Sequence, residues 1–439
     1  MERHVMADLA AWRTSPYRKP LVLEGARQVG KTWCLKQLGE RYYDNIAYIN
    51  FEATPSLASI FDGDLDVRQI VAGLSAATGV PIEPGKTLII LDEVQDVPRA
   101  VTSLKYFAEQ APQQHVVAAG SLLGVALHKG ASFPVGKVDF LTVRPLTFAE
   151  FAQAVGQGSL IAALADGDWP VINALHDRYV TILRDYLCVG GMPEAVARFA
   201  DARDFVGARQ VQQSVINAYE RDFSKHAPID EVPRIADVWR SLPSQLAKAN
   251  GRFIYGDVTP GARGRQYEAA ILWLKQAGLI HVVRQLTAPR LPLAAYEDKA
   301  IFKLFAVDTG LLVAMSGLDV SAVTQGNRLF TEFKGTLTEQ YACQELVALM
   351  GRAPHYWMSG PGGAEIDFVA QLANDIVPIE VKAERNLRAK SLQVYRAKYD
   401  PPVAVRMSLM PHTVHECLID LPLYAAGRLN DAVRPTGRK

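Results

Sequence analysis

The sequence is short of the features that would place a chain outside the ordinary globular class. Its four cysteines, Cys34, Cys188, Cys343 and Cys417, stand far apart in 439 residues. None has the spacing of a zinc site or a redox pair, so they read as free thiols in a reducing compartment, and a disulfide framework is excluded. The longest apolar stretch, Val116 to Leu127, runs for only 12 residues and contains glycine and serine. It is too short to span a bilayer. The first residues, Met1-Glu2-Arg3-His4, have mixed charge and no apolar signal core. A cytoplasmic protein without a membrane segment is the expectation. There is also no excess of one charge: 47 Lys and Arg face 46 Asp and Glu, a net +1. Any surface for nucleic acid must therefore be local. What the chain does have is a hydrophobic content of 49% and a length suited to two to four domains. That is enough for more than one core, and it excludes intrinsic disorder.

The most informative stretch is Leu21-Val22-Leu23-Glu24-Gly25-Ala26-Arg27-Gln28-Val29-Gly30-Lys31-Thr32. An apolar run ends in glycine, four residues intervene, and Gly-Lys-Thr opens a predicted helix. This is the P-loop pattern with a strand before it and a helix after it. Gly25 and Gly30 let the backbone curl so that successive N–H groups point at one anion. Gly25, Ala26, Arg27, Gln28, Val29, Gly30, Lys31 and Thr32 are thus the predicted binding loop for ATP. Its amides, with the dipole of the helix beginning at Lys31, hold the α- and β-phosphates. Lys31 reaches the β- and γ-phosphates, and the Thr32 hydroxyl is the predicted Mg²⁺ ligand.

The second half of that site begins at the turn Pro84-Gly85-Lys86-Thr87. Leu88-Ile89-Ile90-Leu91 follows as an uninterrupted apolar run, as expected for a parallel strand buried on both faces. It ends in Asp92-Glu93, 61 residues after Lys31. Carboxylates at the end of such a strand face the ligand crevice of an open α/β sheet. Asp92 is predicted to hold the Mg²⁺ water shell, and Glu93 to polarise the attacking water. Residues 47–52, 116–119 and 138–143 read as further strands, and Arg99 to Gln110 as a helix. Gly120-Ser121 ends one of these strands. Ser121 is the candidate sensor beside the γ-phosphate, the place the additional-strand ATPases give one.

These motifs carry a resemblance. Gly25 to Thr32, Asp92-Glu93-Val94-Gln95 and Gly120-Ser121 are similar to a family of bacterial and archaeal ATPases. So are Pro145-Leu146-Thr147-Phe148, Gly190-Gly191-Met192-Pro193-Glu194 and Asp308-Thr309-Gly310-Leu311-Leu312. That family joins an AAA-like P-loop domain to a C-terminal domain of unknown function, of the DUF4143 type, with a restriction-endonuclease-like core. The resemblance implies a cytoplasmic ATPase. The later motifs mark the family and carry no evident chemistry.

Residues 156–230 read as a helical lid, broken at Gly190-Gly191 and Pro193. Arg144 and Arg221 are the candidates to reach a neighbouring subunit's ATP. From 231 the order changes to helix (232–248), short strand or turn (253–255), helix (265–276) and strand (278–283). That is the order of a winged helix, whose second helix can enter a DNA major groove. Between Arg240 and Phe305 ten Lys or Arg stand against four Asp or Glu, a local +6. With Arg263 and Arg265 at the start of the second helix, this suits phosphate contacts. Winged helices also dock proteins, and that alternative stays open.

The last hundred residues hold a second constellation. Glu339 lies on a predicted helix, Asp367 on the strand 364–369, and Glu380 with Lys382 on the strand 376–382. Period two places Glu380 and Lys382 on one face. Grouped carboxylates of this kind bind Mg²⁺, and the lysine can orient water for attack on a phosphodiester. Glu339, Asp367 and Glu380 are the candidate metal ligands; Asp367, Glu380 and Lys382 are the candidate catalytic residues. The set resembles the PD-(D/E)xK nuclease core, with Lys390 and Gln393 on the next helix as backbone contacts. A fold retained without cleavage is the alternative.

The predicted architecture is α/β: a P-loop NTPase of the AAA or additional-strand type (1–155), a helical lid (156–230), a winged helix with its connector (231–330), and a restriction-endonuclease-like domain (331–439). The predicted function is ATP hydrolysis coupled to DNA binding or processing, in a homo-oligomer. The rival is an ATP-dependent signalling switch whose winged helix docks protein and whose C-terminal domain is silent.

Overall fold

A computed structural model describes residues 1–120, 134–248, 251–318, 328–360, 362–383 and 390–433. The chain forms two compact units, Met1–Arg144 with Gln276–Gly278, and Pro145–Lys275 with Leu279–Lys439. Among the described residues no helix is long and apolar enough to cross a membrane.

The first unit is built on five strands: β1 (Leu21–Glu24), β2 (Asn45–Asn50), β3 (Thr87–Asp92), β4 (His115–Ala119) and β5 (Asp139–Thr142). They lie in the order β2-β3-β4-β1-β5, and every pairing is parallel. The apolar runs explain why β3 and β4 sit inside: all their residues are buried, as a parallel sheet covered on both faces requires. Helices α1 (Val5–Thr14), α2 (Lys31–Tyr42), α3 (Val67–Thr78) and α4 (Pro98–Gln110) accompany this sheet. Alternate strand residues Val22, Ile49, Ile89, Leu91, Val116 and Ala118 form one core with Ile70, Leu74, Leu104 and Phe107. β2 stops at Asn50, short of the predicted Glu52. The Asn50 side chain accepts from the Ala53 amide at 2.9 Å and its carbonyl from the Thr54 amide at 3.0 Å, which turns the chain out of the sheet.

The second unit opens with helices α5 (Phe148–Ala154), α6 (Gly158–Asp166), α7 (Trp169–Ala174), α8 (His176–Val189), α9 (Pro193–Ala202) and α10 (Phe205–His226). Then come α11 (Val232–Leu246), α12 (Tyr255–Val258), α13 (Gly264–Gln276) and the strands β6 (Ile280–Leu286) and β7 (Glu297–Ala306). α14 (Thr309–Met315) and α15 (Arg328–Met350) lead to β8 (His355–Met358), β9 (Glu365–Leu372) and β10 (Asp375–Val381). α16 (Lys390–Tyr399), β11 (Ala404–Ser408), β12 (Thr413–His415) and β13 (Leu418–Pro422) follow. One mixed sheet holds all eight strands in the order β12-β13-β11-β10-β9-β8-β6-β7. The hairpin β6–β7 that follows α13 is therefore one edge of the sheet that carries Asp367 and Glu380. Residues 253–255, expected as a short strand or turn, form no strand: an isolated bridge joins Arg252 just before them to Lys303, the Phe253 amide donates to the Phe302 carbonyl at 2.9 Å, and Tyr255 begins α12.

The later family motifs converge on one buried knot in this unit. Asp308 accepts from the Gly191 amide at 2.6 Å and the Leu311 amide at 3.0 Å. Gln344 on α15 donates to the Tyr186 hydroxyl at 2.9 Å and accepts from Thr309. Tyr186 in turn donates to the Leu146 carbonyl at 2.5 Å, and the Leu146 amide donates to the Gly191 carbonyl at 2.7 Å. Glu345 accepts from the Phe148 amide at 2.8 Å. A Cβ on Gly191 would lie 2.1 Å from the Leu146 carbonyl oxygen, so only glycine permits this approach. These motifs are structural: they fasten the start of the helical region to the helices flanking the sheet.

Candidate functional site

The loop between β1 and α2 is shaped by close approach. Gly25 has φ 139°, and a Cβ there would lie 2.1 Å from the Val143 carbonyl oxygen. Gln28 (φ 65°) and Gly30 (φ 93°) also take left-handed conformations, at a cost of about 1–2 kcal/mol for the glutamine. Buried Arg3, ahead of α1, steadies the curl. Its guanidinium donates to the Val29 carbonyl at 3.0 Å and to the Arg144 carbonyl at 2.6 Å. Lys31 is buried, and its ammonium donates to the carbonyls of Gly25 at 2.9 Å and Ala26 at 2.8 Å. Burial pulls its pKa down to about 8, against the raising pull of Glu93 and Asp92.

The acidic half lies beside it. Asp92, buried at the end of β3, accepts from the Thr32 hydroxyl at 2.7 Å and the Tyr48 hydroxyl at 3.0 Å on one oxygen. Its other oxygen accepts from the Glu93 amide at 3.1 Å. Glu93 turns the chain with φ 52°, and one of its carboxylate oxygens accepts from the Gln95 amide group at 2.7 Å. Burial raises the pKa of Glu24, the last residue of β1. The predicted loop residues, Thr32, Asp92 and Glu93 are therefore brought together. Ser121 lies outside the described residues. Arg3, Tyr48 and Gln95 were not singled out from sequence. Tyr48 carries a faint signal, being on the same face of β2 as Asn50, which pairs in register with Asp92. The hydroxyl–carboxylate pair Thr32–Asp92 supplies hard oxygen donors under an amide-lined loop, which fits Mg²⁺ accompanying a nucleotide.

The C-terminal constellation also assembles, with additions. Hairpin pairing of β9 and β10 sets Ile379 opposite Phe368, and the Asp367 carboxylate accepts from the Val381 amide at 2.7 Å. Lys382 lies 2.6 Å from one oxygen of buried Glu380, whose other oxygen accepts from the Leu392 amide at 3.3 Å. Burial and then the charge of Glu339 push the Asp367 carboxyl well above the ordinary range. Two further residues join: Lys303 on β7 and Glu365 on β9. The Lys303 ammonium is 2.5 Å from Glu365, 3.4 Å from Glu339 and 5.2 Å above the Tyr356 ring centre. Among the described residues, no three acidic, histidine or cysteine side chains are placed to hold one metal ion. The ligand set implied by the nuclease resemblance is engaged from within the chain and does not fit a divalent ion. Lys390 and Gln393 lie exposed on α16.

Sequence comparison matches residues 17–152 to an AAA domain, residues 180–322 to a domain of unknown function (DUF8612), and residues 334–424 to another (DUF4143). No curated protein matches the sequence. Among solved structures the chain is similar to the Walker-type ATPase PABY2304 of Pyrococcus abyssi. There the identity is 14%, with 72% of this chain and 95% of that one covered at a TM-score of 0.44. It is also similar to the Aeropyrum pernix ORC1 protein in complex with DNA (17% identity, 72% and 93% covered, TM-score 0.25). A third similarity is to the Thermotoga maritima RuvB Holliday junction branch migration motor (16% identity, 65% and 89% covered, TM-score 0.28). By the family matches, the chain carries an AAA domain over residues 17–152, a DUF8612 domain over 180–322 and a DUF4143 domain over 334–424.

Proposed function

We propose that the protein binds and hydrolyses ATP with Mg²⁺ and couples the cycle to DNA. The observation that carries the ATPase reading is the Thr32–Asp92 pair at 2.7 Å beneath a loop curled around Lys31. In this reading the loop amides and Lys31 bind the phosphates, Thr32 and Asp92 hold the Mg²⁺, and Glu93 takes the proton of the attacking water. Mg²⁺ supplies charge neutralisation on the β- and γ-phosphate oxygens. The free cysteines agree with a cytoplasmic setting.

The DNA reading has its own support. Helix order through α11, α13 and the β6–β7 hairpin is that of a winged helix. Arg234, Arg263 and Arg265 line an open cavity of about 460 Å³ with Glu231 and Gln266. Arg263 and Arg265 are exposed at the start of α13, where the helix dipole adds to their charge in favouring phosphate. Assembly as a homo-oligomer, with Arg144 or Arg221 reaching a neighbour's ATP, belongs to the same proposal. Its test is sedimentation with and without ATP, and a monomer in both would remove it. ATP hydrolysis measured without DNA and with single-stranded, duplex and branched DNA, at low and high salt, tests the coupling. Salt-sensitive stimulation by one DNA form is expected. An unchanged rate with all three would favour the signalling switch with a protein-docking winged helix.

A further inference from the structure

The acidic cluster at the head of the C-terminal sheet holds a cation of its own. Lys303 reaches it from β7, at the far edge of the sheet from β13. Its side chain is 1% exposed, and its ammonium touches Glu365 and Glu339. The Tyr356 ring lies beside the ammonium, its centre 5.2 Å away. A buried ammonium persists only where carboxylates compensate it. Glu339 and Glu365 do so by contact, and the nearby Asp367 adds to the field. The remaining pair, Glu380 and Lys382, is neutral as a unit.

A divalent ion here would need carboxylate oxygens at about 2.0–2.6 Å on several sides. It would then share them with an ammonium a few ångströms away, two like charges in a site with little water between them. We propose that Lys303 is the resident counter-cation of this cluster, supplying the positive charge that a metal would otherwise supply, so that the cluster is a closed ion-pair site and not a metal-dependent nuclease centre. The wild-type chain then neither takes up Mg²⁺ there nor cuts DNA through it. The proposal is independent of the ATPase reading, because all of its residues lie in the second unit.

Manganese uptake tests it directly. The full chain, free of nucleotide and carrying Asp92→Asn so that the P-loop site loses its carboxylate ligand, is titrated with Mn²⁺ and followed by electron paramagnetic resonance. With Lys303 intact no saturable uptake is expected. Lys303→Met removes the charge but keeps most of the stem. Among the described residues no three acids are placed around one point while the ammonium holds them; without it Glu339, Glu365 and Asp367 can turn toward one ion, and the variant should take up about one Mn²⁺ per chain. Adding Asp367→Asn should abolish that uptake. Mn²⁺ should also raise the melting temperature of the Lys303→Met chain and leave that of its parent unmoved. The proposal is overturned if the parent already binds one Mn²⁺ that Asp367→Asn removes. It is equally overturned if Lys303→Met folds and binds none. If Lys303→Met alone does not fold, adding Glu365→Gln removes the uncompensated charge and should restore folding. Failure of that rescue would mean that Lys303 is not held as a counter-charge, and would sink the idea.

Discussion

At the residue scale, Lys31 and Glu93 serve different steps in the proposed reaction and should fail differently. Lys31→Ala takes the only lysine from the loop, and nucleotide binding should fall by at least tenfold in calorimetry. Glu93→Gln keeps the shape and the bond to Gln95 within reach but loses the base. ATP should bind normally and turn over at least a hundredfold more slowly; a wild-type rate would remove Glu93 from the mechanism. Lys31 also sets a pH dependence. Its folded pKa is lowered to about 8 from an unfolded value of 10.5. Between those values the unfolded chain binds more protons, so this group's contribution to stability is present above 10.5 and is lost as pH falls through about 8. Nucleotide binding runs the other way, because phosphate needs the charged form. Affinity for ATP should therefore fall as pH rises past 8, read from the melting-temperature shift that ATP produces at pH 7 and pH 9. A shift that stays constant would show that the loop lysine is not the titrating group.

At the element scale, regular periodicity made the first unit readable. The buried runs at β3 and β4 and the glycine spacing at the loop located the sheet and the curled loop above Asp92 together. Lys303 was harder to read. It is a lone charge in Ile301-Phe302-Lys303-Leu304-Phe305-Ala306, and sequence alone does not say which carboxylates it meets. Nor could the Gly191 and Asp308 motifs be understood singly, since their partners are 117 residues apart. The knot they form makes a stability prediction. Gly191→Ala forces a Cβ into the Leu146 backbone and should cost at least about 3 kcal/mol, while Gly63→Ala, with nothing within 4 Å, should cost little. Comparable urea midpoints for the two would remove the packing argument. Glu345, in the same knot, is raised to about 7 by burial, eased by the Phe148 amide and raised further by Glu150. An acid so raised binds more protons folded than unfolded between pH 4.5 and about 7. Its contribution is full below 4.5 and is lost as pH rises through 7, on the order of 3 kcal/mol. Glu345→Gln should flatten that dependence in urea melts at pH 5 and pH 8, and an unaltered slope would place the titration elsewhere.

At the scale of the whole molecule, a net charge of +1 leaves no general attraction for nucleic acid. In the proposed reading DNA meets the arginines clustered at α13, and this makes the coupling proposal quantitative. Each phosphate neutralised by a cation releases counterions, so affinity falls with salt in proportion to the contacts made. Replacing Arg263 and Arg265 together with alanine should lower affinity for duplexes of unrelated sequence by similar factors. It should also reduce the slope of log affinity against log salt by about 1.8, two contacts at about 0.9 each. Fluorescence anisotropy over a salt series reads both quantities. Stimulation of ATP hydrolysis by DNA should weaken in the same variant, because in the proposed reading the first unit hydrolyses ATP while the second binds DNA. If the salt slope and the affinity stay at wild-type values, DNA does not lie on α13. If both fall while stimulation by DNA persists, a second nucleic-acid contact drives the ATPase, and the exposed Lys390 and Gln393 on α16 are the next residues to replace.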